Sequence, residues 1–109
     1  MYFPDCQEMD EPLLCFIYYN GGSNYSVRPS ETYEPLAGFF MLSEEDKRRP
    51  RPDGYTGVHW KNYVQWARQR LINHGFLDGS TRGIWRLSPA GVNLASNVAA
   101  RYTALRLSD

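Results

Sequence analysis

Val58-His59-Trp60-Lys61-Asn62-Tyr63-Val64-Gln65-Trp66-Ala67-Arg68-Gln69-Arg70-Leu71-Ile72-Asn73-His74-Gly75 is the stretch on which the fold turns. Trp60, Tyr63, Val64, Ala67 and Leu71 recur at helical spacing and make one apolar stripe. Lys61, Gln65, Arg68 and Gln69 fall on another face. Gly75 is a natural helix stop, because glycine adopts the left-handed conformation at little cost. The spacing therefore predicts a helix from about Val58 to His74. Downstream, Phe76-Leu77 reads as a short strand, 78–83 as a hairpin loop and 84–87 as the returning strand. Ser88-Pro89 is a cap followed by proline at the first helical position, opening a last helix to about Arg106.

Upstream, Leu13, Leu14, Phe16 and Ile17 read as a helix over Glu11–Asn20, ended by Gly21-Gly22. Ser23–Val27 reads as a short edge strand or extended linker ahead of Pro29. Thr32 can cap a second helix, with Pro35 in its first turn and Leu36, Ala37, Phe40 and Met41 at helical spacing. Ser43-Glu44-Glu45-Asp46 reads as the cap and first turn of a short helix, and Lys47–Pro52 as a basic loop. Residues 1–10 are expected to be a flexible lead-in and 11–109 a single domain. The order of elements predicts an α+β winged helix: a helix-turn-helix core, a two- to three-stranded β-wing and a C-terminal helix.

Composition narrows the function. A chain of 109 residues fits one domain, and its 42% hydrophobic and 22% charged residues are ordinary for a globular fold. Aromatic residues reach 15%, more than one small core needs, so some are expected at a binding surface. No apolar run approaches the ~18 residues of a membrane helix. Met1–Asp10 carries three acids and no base, unlike a signal peptide. Two cysteines imply no disulfide framework; Cys15, in an apolar run, is expected to be a buried thiol, and a reducing, cytoplasmic setting follows. The net charge is zero, but residues 1–46 hold nine acids and one base, whereas 47–109 hold eleven bases and three acids. Such a split predicts a face able to attract phosphate.

A helix in the major groove needs donors clear of the core. Lys61, Asn62, Gln65, Arg68 and Gln69 supply them, with His59 beside them, and Thr81 and Arg82 suit the tip of a wing on the backbone or minor groove. Trp60 and Tyr63 flank this face and are candidates for stacking on a flipped or methylated base, with core packing as the alternative. Trp66 and Trp85 are expected in the core. His59 and His74 lack partners at metal-ligand spacing, so no metal or cofactor is expected. Pro52-Asp53-Gly54 is not followed by the Glu-x-Lys that nuclease metal chemistry requires, and no nucleophilic triad or phosphate loop is evident.

Trp66-Ala67-Arg68, Leu71, Gly75-Phe76-Leu77 and the run from Arg82-Gly83-Ile84-Trp85 through Ser88-Pro89-Ala90-Gly91 resemble the N-terminal domain of Mrr-type restriction enzymes. Leu42–Asp46 resembles the segment before that family's recognition helix. Ser88 stands where threonine is usual. The resemblance spans roughly residues 10–98. It implies a non-catalytic winged helix that reads double-stranded DNA, with a modified base as one form of target, and with a nuclease fused or associated; no nuclease follows within these residues. Two other expectations share the fold. One is a protein-interaction or dimerisation domain using Tyr18, Tyr19 and Tyr33. The other is a stand-alone transcription regulator.

Overall fold

The computed structural model describes residues 3–107, and its first helix begins before the apolar run does. Helix α1 spans Cys6–Asn20, and the amide of its N-cap, Asp5, donates to Glu8 Oε1 at 3.2 Å. Pro12 lies inside the helix rather than in its first turn. The amide it lacks is outweighed by burial of Met9, Leu13, Leu14, Cys15, Phe16 and Ile17. Residues 3–10, expected as a lead-in, include the start of α1 and contacts to α4. The Phe3 ring sits 5.3 Å from that of Trp60 and 5.4 Å from that of Tyr63, and the Tyr63 hydroxyl donates to the Pro4 carbonyl. Asp10 holds Arg70 through bonds of 2.8 to 3.1 Å. Residues 1 and 2 lie outside the described residues.

After α1 come β1 (Ser26–Val27), α2 (Tyr33–Phe39), α3 (Glu44–Arg48), α4 (His59–Asn73), β2 (Leu77–Asp78), β3 (Trp85–Leu87) and α5 (Pro89–Val98). The strands form one antiparallel sheet in the order β1-β3-β2, with Val27 opposite Trp85 and Leu77 opposite Leu87. The chain is α+β, mostly helical with a small three-stranded sheet, an arrangement compatible with a winged helix. α1 lies at the centre, covered by α4, α5, the sheet and the 3-10 stretch Ala99–Leu105.

The caps divide. Ser43 Oγ accepts from the Asp46 amide at 3.1 Å and Ser88 Oγ from the Gly91 amide at 3.0 Å, as the sequence predicts. Thr32 is fully buried, and its hydroxyl donates to the Pro29 carbonyl instead of capping α2. α2 stops at Phe39, so Met41 leaves the expected stripe; it takes a left-handed φ of 59° and is exposed. The basic loop is shorter than expected, because Lys47 and Arg48 complete α3. The last α-helix ends at Val98 because contacts to α1 redirect the chain. Tyr102 breaks the helical path and donates to Glu11 Oε1 at 2.8 Å, and Asn20 donates to the Leu105 carbonyl at 2.8 Å.

Gly91 marks the tightest contact between α5 and the sheet side: a Cβ there would overlap the Phe76 carbonyl oxygen. Gly91→Ala is expected to cost about 2–3 kcal/mol, read by urea or thermal unfolding. Gly38→Ala is the control, since a Cβ there meets nothing within 4 Å. It should leave stability unchanged or raise it by about 0.5–1 kcal/mol. Two variants of equal stability would show that α5 is not pinned at Gly91. Burial, with the charge of Glu11 adding to it, pushes the Cys15 thiol up to about 12. In a Cys6→Ser background, Cys15 should resist a water-soluble thiol reagent at neutral pH and react once denaturant is added. Rapid labelling of the native protein would show that the core opens there.

Candidate nucleic-acid interface

α4 is positioned by what it buries. Trp60, Val64, Ala67 and Leu71 face the core, and the Trp60 indole donates to the Tyr33 carbonyl at 2.8 Å. The preceding loop returns alongside the helix start: Pro50 bridges Val58, and the His59 amide donates to the Arg49 carbonyl at 2.8 Å. Gly75, at φ 80°, ends the helix, and the Phe76 amide closes it on the Leu71 carbonyl at 2.9 Å.

The outer face carries two rows at helical spacing, Lys61-Gln65-Arg68 and Asn62-Trp66-Gln69-Asn73. Three shallow grooves run across it. The middle one is lined by Asn62, Gln65, Trp66, Arg68 and Gln69. One flank joins Gln65 and Arg68 to Arg82, Gly83 and Trp85. The other joins Lys61, Asn62 and Gln65 to Arg51, Thr56 and Gly57. Gln65 lines all three, so they make one continuous strip.

The structure therefore brings together Lys61, Asn62, Gln65, Arg68, Gln69 and Arg82. Thr81 is exposed in the β2–β3 loop but lines none of these grooves. His59 turns away, its ring 4.6 Å from Phe3 and 6.1 Å from Tyr63. The stacking candidates need correction. Trp60 is 2% exposed and belongs to the core, and half-buried Tyr63 stacks on it at 6.1 Å. Trp85 is buried as expected, but Trp66, expected in the core, is 57% exposed on the strip.

Tyr33 organises this face from beneath. Its hydroxyl accepts from Gln65 Nε2 at 3.0 Å, Lys61 Nζ lies 5.5 Å over its ring, and Trp85 meets it edge to face at 6.4 Å. Nothing in the local sequence singles out Tyr33 for this role, because its partners are decades of residues away in the chain. Trp66 did carry a signal: it is four residues from Asn62 and three from Gln69, both polar.

Charge is sorted in the same way. Lys47 pairs with Glu34 and Glu44, Arg48 with Glu44, Arg49 with Glu45 and Asp46, and Arg51 with Asp53. The Lys47 ammonium, by hydrogen bond and charge, holds the Glu44 carboxyl below its usual range, and the Arg51 guanidinium does the same for Asp53. Arg70 pairs with Asp10 and Arg101 with Glu11. Lys47, Arg48, Arg49, Arg70 and Arg101 of the basic half are thus held by acids of the first half. Among the described residues, Arg28, Lys61, Arg68, Arg82 and Arg86 form no ion pair with a carboxylate, and of these Lys61, Arg68 and Arg82 line the strip. Among the described residues, no group of three His, Cys, Asp or Glu could hold a metal, and no helix is long and apolar enough to cross a membrane.

No curated protein and no solved structure matches the chain. The family model of the Mrr N-terminal domain matches residues 7–97, most of its length. The chain belongs to the Mrr N-terminal domain family, and so to the domains associated with restriction systems.

Proposed function

We propose that this domain is a winged helix that docks on double-stranded DNA and carries no catalytic centre of its own. In this reading α3 and α4 form the helix-turn-helix, α4 enters the major groove, and the β2–β3 loop is the wing. The observation that carries it is the distribution of cations. Most basic side chains after residue 46 are held by carboxylates, whereas Lys61, Arg68 and Arg82 line the strip that also presents Asn62, Gln65 and Gln69. Cations suit phosphate, and carboxamides suit base edges. His59 and Thr81 stand outside that strip, and any contact from them is to the neighbouring backbone.

Family membership supports a target-reading role in a cytoplasmic restriction system, with a nuclease fused or associated and a modified base as one form of target. The three tyrosines of the protein-interaction reading are half-buried and already engaged within the domain. Tyr18 stacks on Tyr25 at 5.6 Å, Tyr19 donates to the Ala99 carbonyl at 2.7 Å, and Tyr33 is engaged under α4.

A salt titration of duplex binding by fluorescence anisotropy tests the proposal. Each phosphate neutralised contributes about 0.9 to the log–log slope, so Arg68→Ala with Arg82→Ala should lower it by about 2. Arg101→Ala, whose partner is Glu11, should leave it unchanged. Absence of binding to any duplex at low salt would sink the proposal.

A further inference from the structure

We infer that the α4 face selects adenine–thymine pairs, with the Trp66 indole packing on the C5 methyl of a pyrimidine in the major groove. The inference rests on the DNA reading above and adds the bases read. Its starting point is the contrast between the two rows of α4. Lys61 and Arg68 give one row its charge, and Asn62, Trp66, Gln69 and Asn73 make the other neutral. A groove occupant that meets both places its phosphates against the charged row and its base edges against the neutral one.

The neutral row has adenine's chemistry. A carboxamide accepts from adenine N6 and donates to N7. Gln69 spends one N–H on Asn73 Oδ1 at 3.0 Å, which orients the amide and leaves its second N–H and its oxygen available. Asn62 lines the same groove and makes no side-chain hydrogen bond among the described residues.

The thymine paired with each adenine presents O4 and a methyl group in the same groove. Trp66, 57% exposed between Asn62 and Gln69, is the apolar surface available to that methyl. The groove beside it is open and shallow, which suits a methyl on a stacked base better than a whole base drawn out of the duplex. An indole held in water at this position, in the middle of a polar row, is accounted for by an apolar group on the partner.

The experiment compares an alternating adenine–thymine duplex with the same duplex carrying uracil in place of thymine. Pairing is kept and only the methyl is removed. Wild-type protein should bind the thymine duplex about fourfold more tightly for each methyl covered. Trp66→Ala, an exposed position whose fold is checked by circular dichroism, should bind both duplexes equally. An alternating guanine–cytosine duplex, with and without 5-methylcytosine, identifies the source of the methyl. Weaker binding than to the adenine–thymine duplex in both forms supports the assignment. Equal wild-type affinity for the thymine and uracil duplexes overturns the inference while leaving DNA binding intact. Tightening on 5-methylcytosine without a thymine effect also overturns it. Failure to bind any duplex removes the DNA reading itself. A stable dimer in sedimentation that shields Trp66 from acrylamide overturns the inference in favour of a second copy on this face; Trp60 and Trp85 are buried and do not contribute to the quenching.

Discussion

Burial of α1 on all sides is the constraint from which the architecture follows. Met9, Leu13, Leu14, Cys15, Phe16 and Ile17 do not fall on one stripe, so no single neighbour can cover them. α4 takes one side, α5 and the 3-10 stretch another, and β1 and β3 close a third. Each covering element spends one face on α1. α4 spends Trp60, Val64, Ala67 and Leu71, and what remains is the polar face that forms the strip. The α4 part of the candidate site is therefore the complement of the core contact, and both are set by the same fifteen residues.

Charge follows a similar logic. An acidic first half and a basic second half invite a picture of a molecular dipole, but α1 and α4 are neighbours, so Asp10 and Arg70 meet across that contact. Glu11 and Arg101 meet likewise, and α3 holds acids in its first turn and bases in its last. Pairing at this range outweighs separation along the sequence, because an opposite charge at hydrogen-bond distance is worth more than a distant field in water. Among the described residues, Lys61, Arg68 and Arg82 keep their charge unpaired on the strip, and Arg28 and Arg86 do so outside it.

The parts of this fold legible in the sequence are those whose determinants are local. The α4 stripe, the Ser43 and Ser88 caps, the Gly75 stop and the short antiparallel strands all rest on residues within a turn of one another. The rest is tertiary. Asp5 begins α1 early because Met9 has a core to enter, and Pro12 is carried inside the helix for the same reason. Tyr102 kinks the 3-10 stretch that follows the last helix, where its hydroxyl reaches Glu11. The tryptophans show the difference most clearly. Trp60 continues the row of Val64, Ala67 and Leu71, whereas Trp66 lies with Asn62 and Gln69. Periodicity alone places them correctly. Only the motif placed Trp66 in the core, and its row does not support that; Trp60 takes the core position that the stripe predicts.

The β2–β3 loop completes the strip only if it keeps its place relative to α4. Strands of two and three residues would give a weak anchor by themselves. Two further contacts supply it. Gly79 packs against the Ile72 side chain of α4, so that a Cβ there would lie 2.8 Å from Ile72 Cδ1. The Ser80 amide donates to Asp78 Oδ1 at 2.9 Å, and that bond holds the Asp78 carboxyl below its usual range. The loop is thus shaped before any partner arrives, and Arg82 is carried on a base fixed to the helix that bears Arg68. Ordering entropy that a loose loop would lose on docking is already spent in folding. A short loop is in this sense no handicap: its brevity, with the Gly79 contact to Ile72, keeps Arg82 beside the helix face.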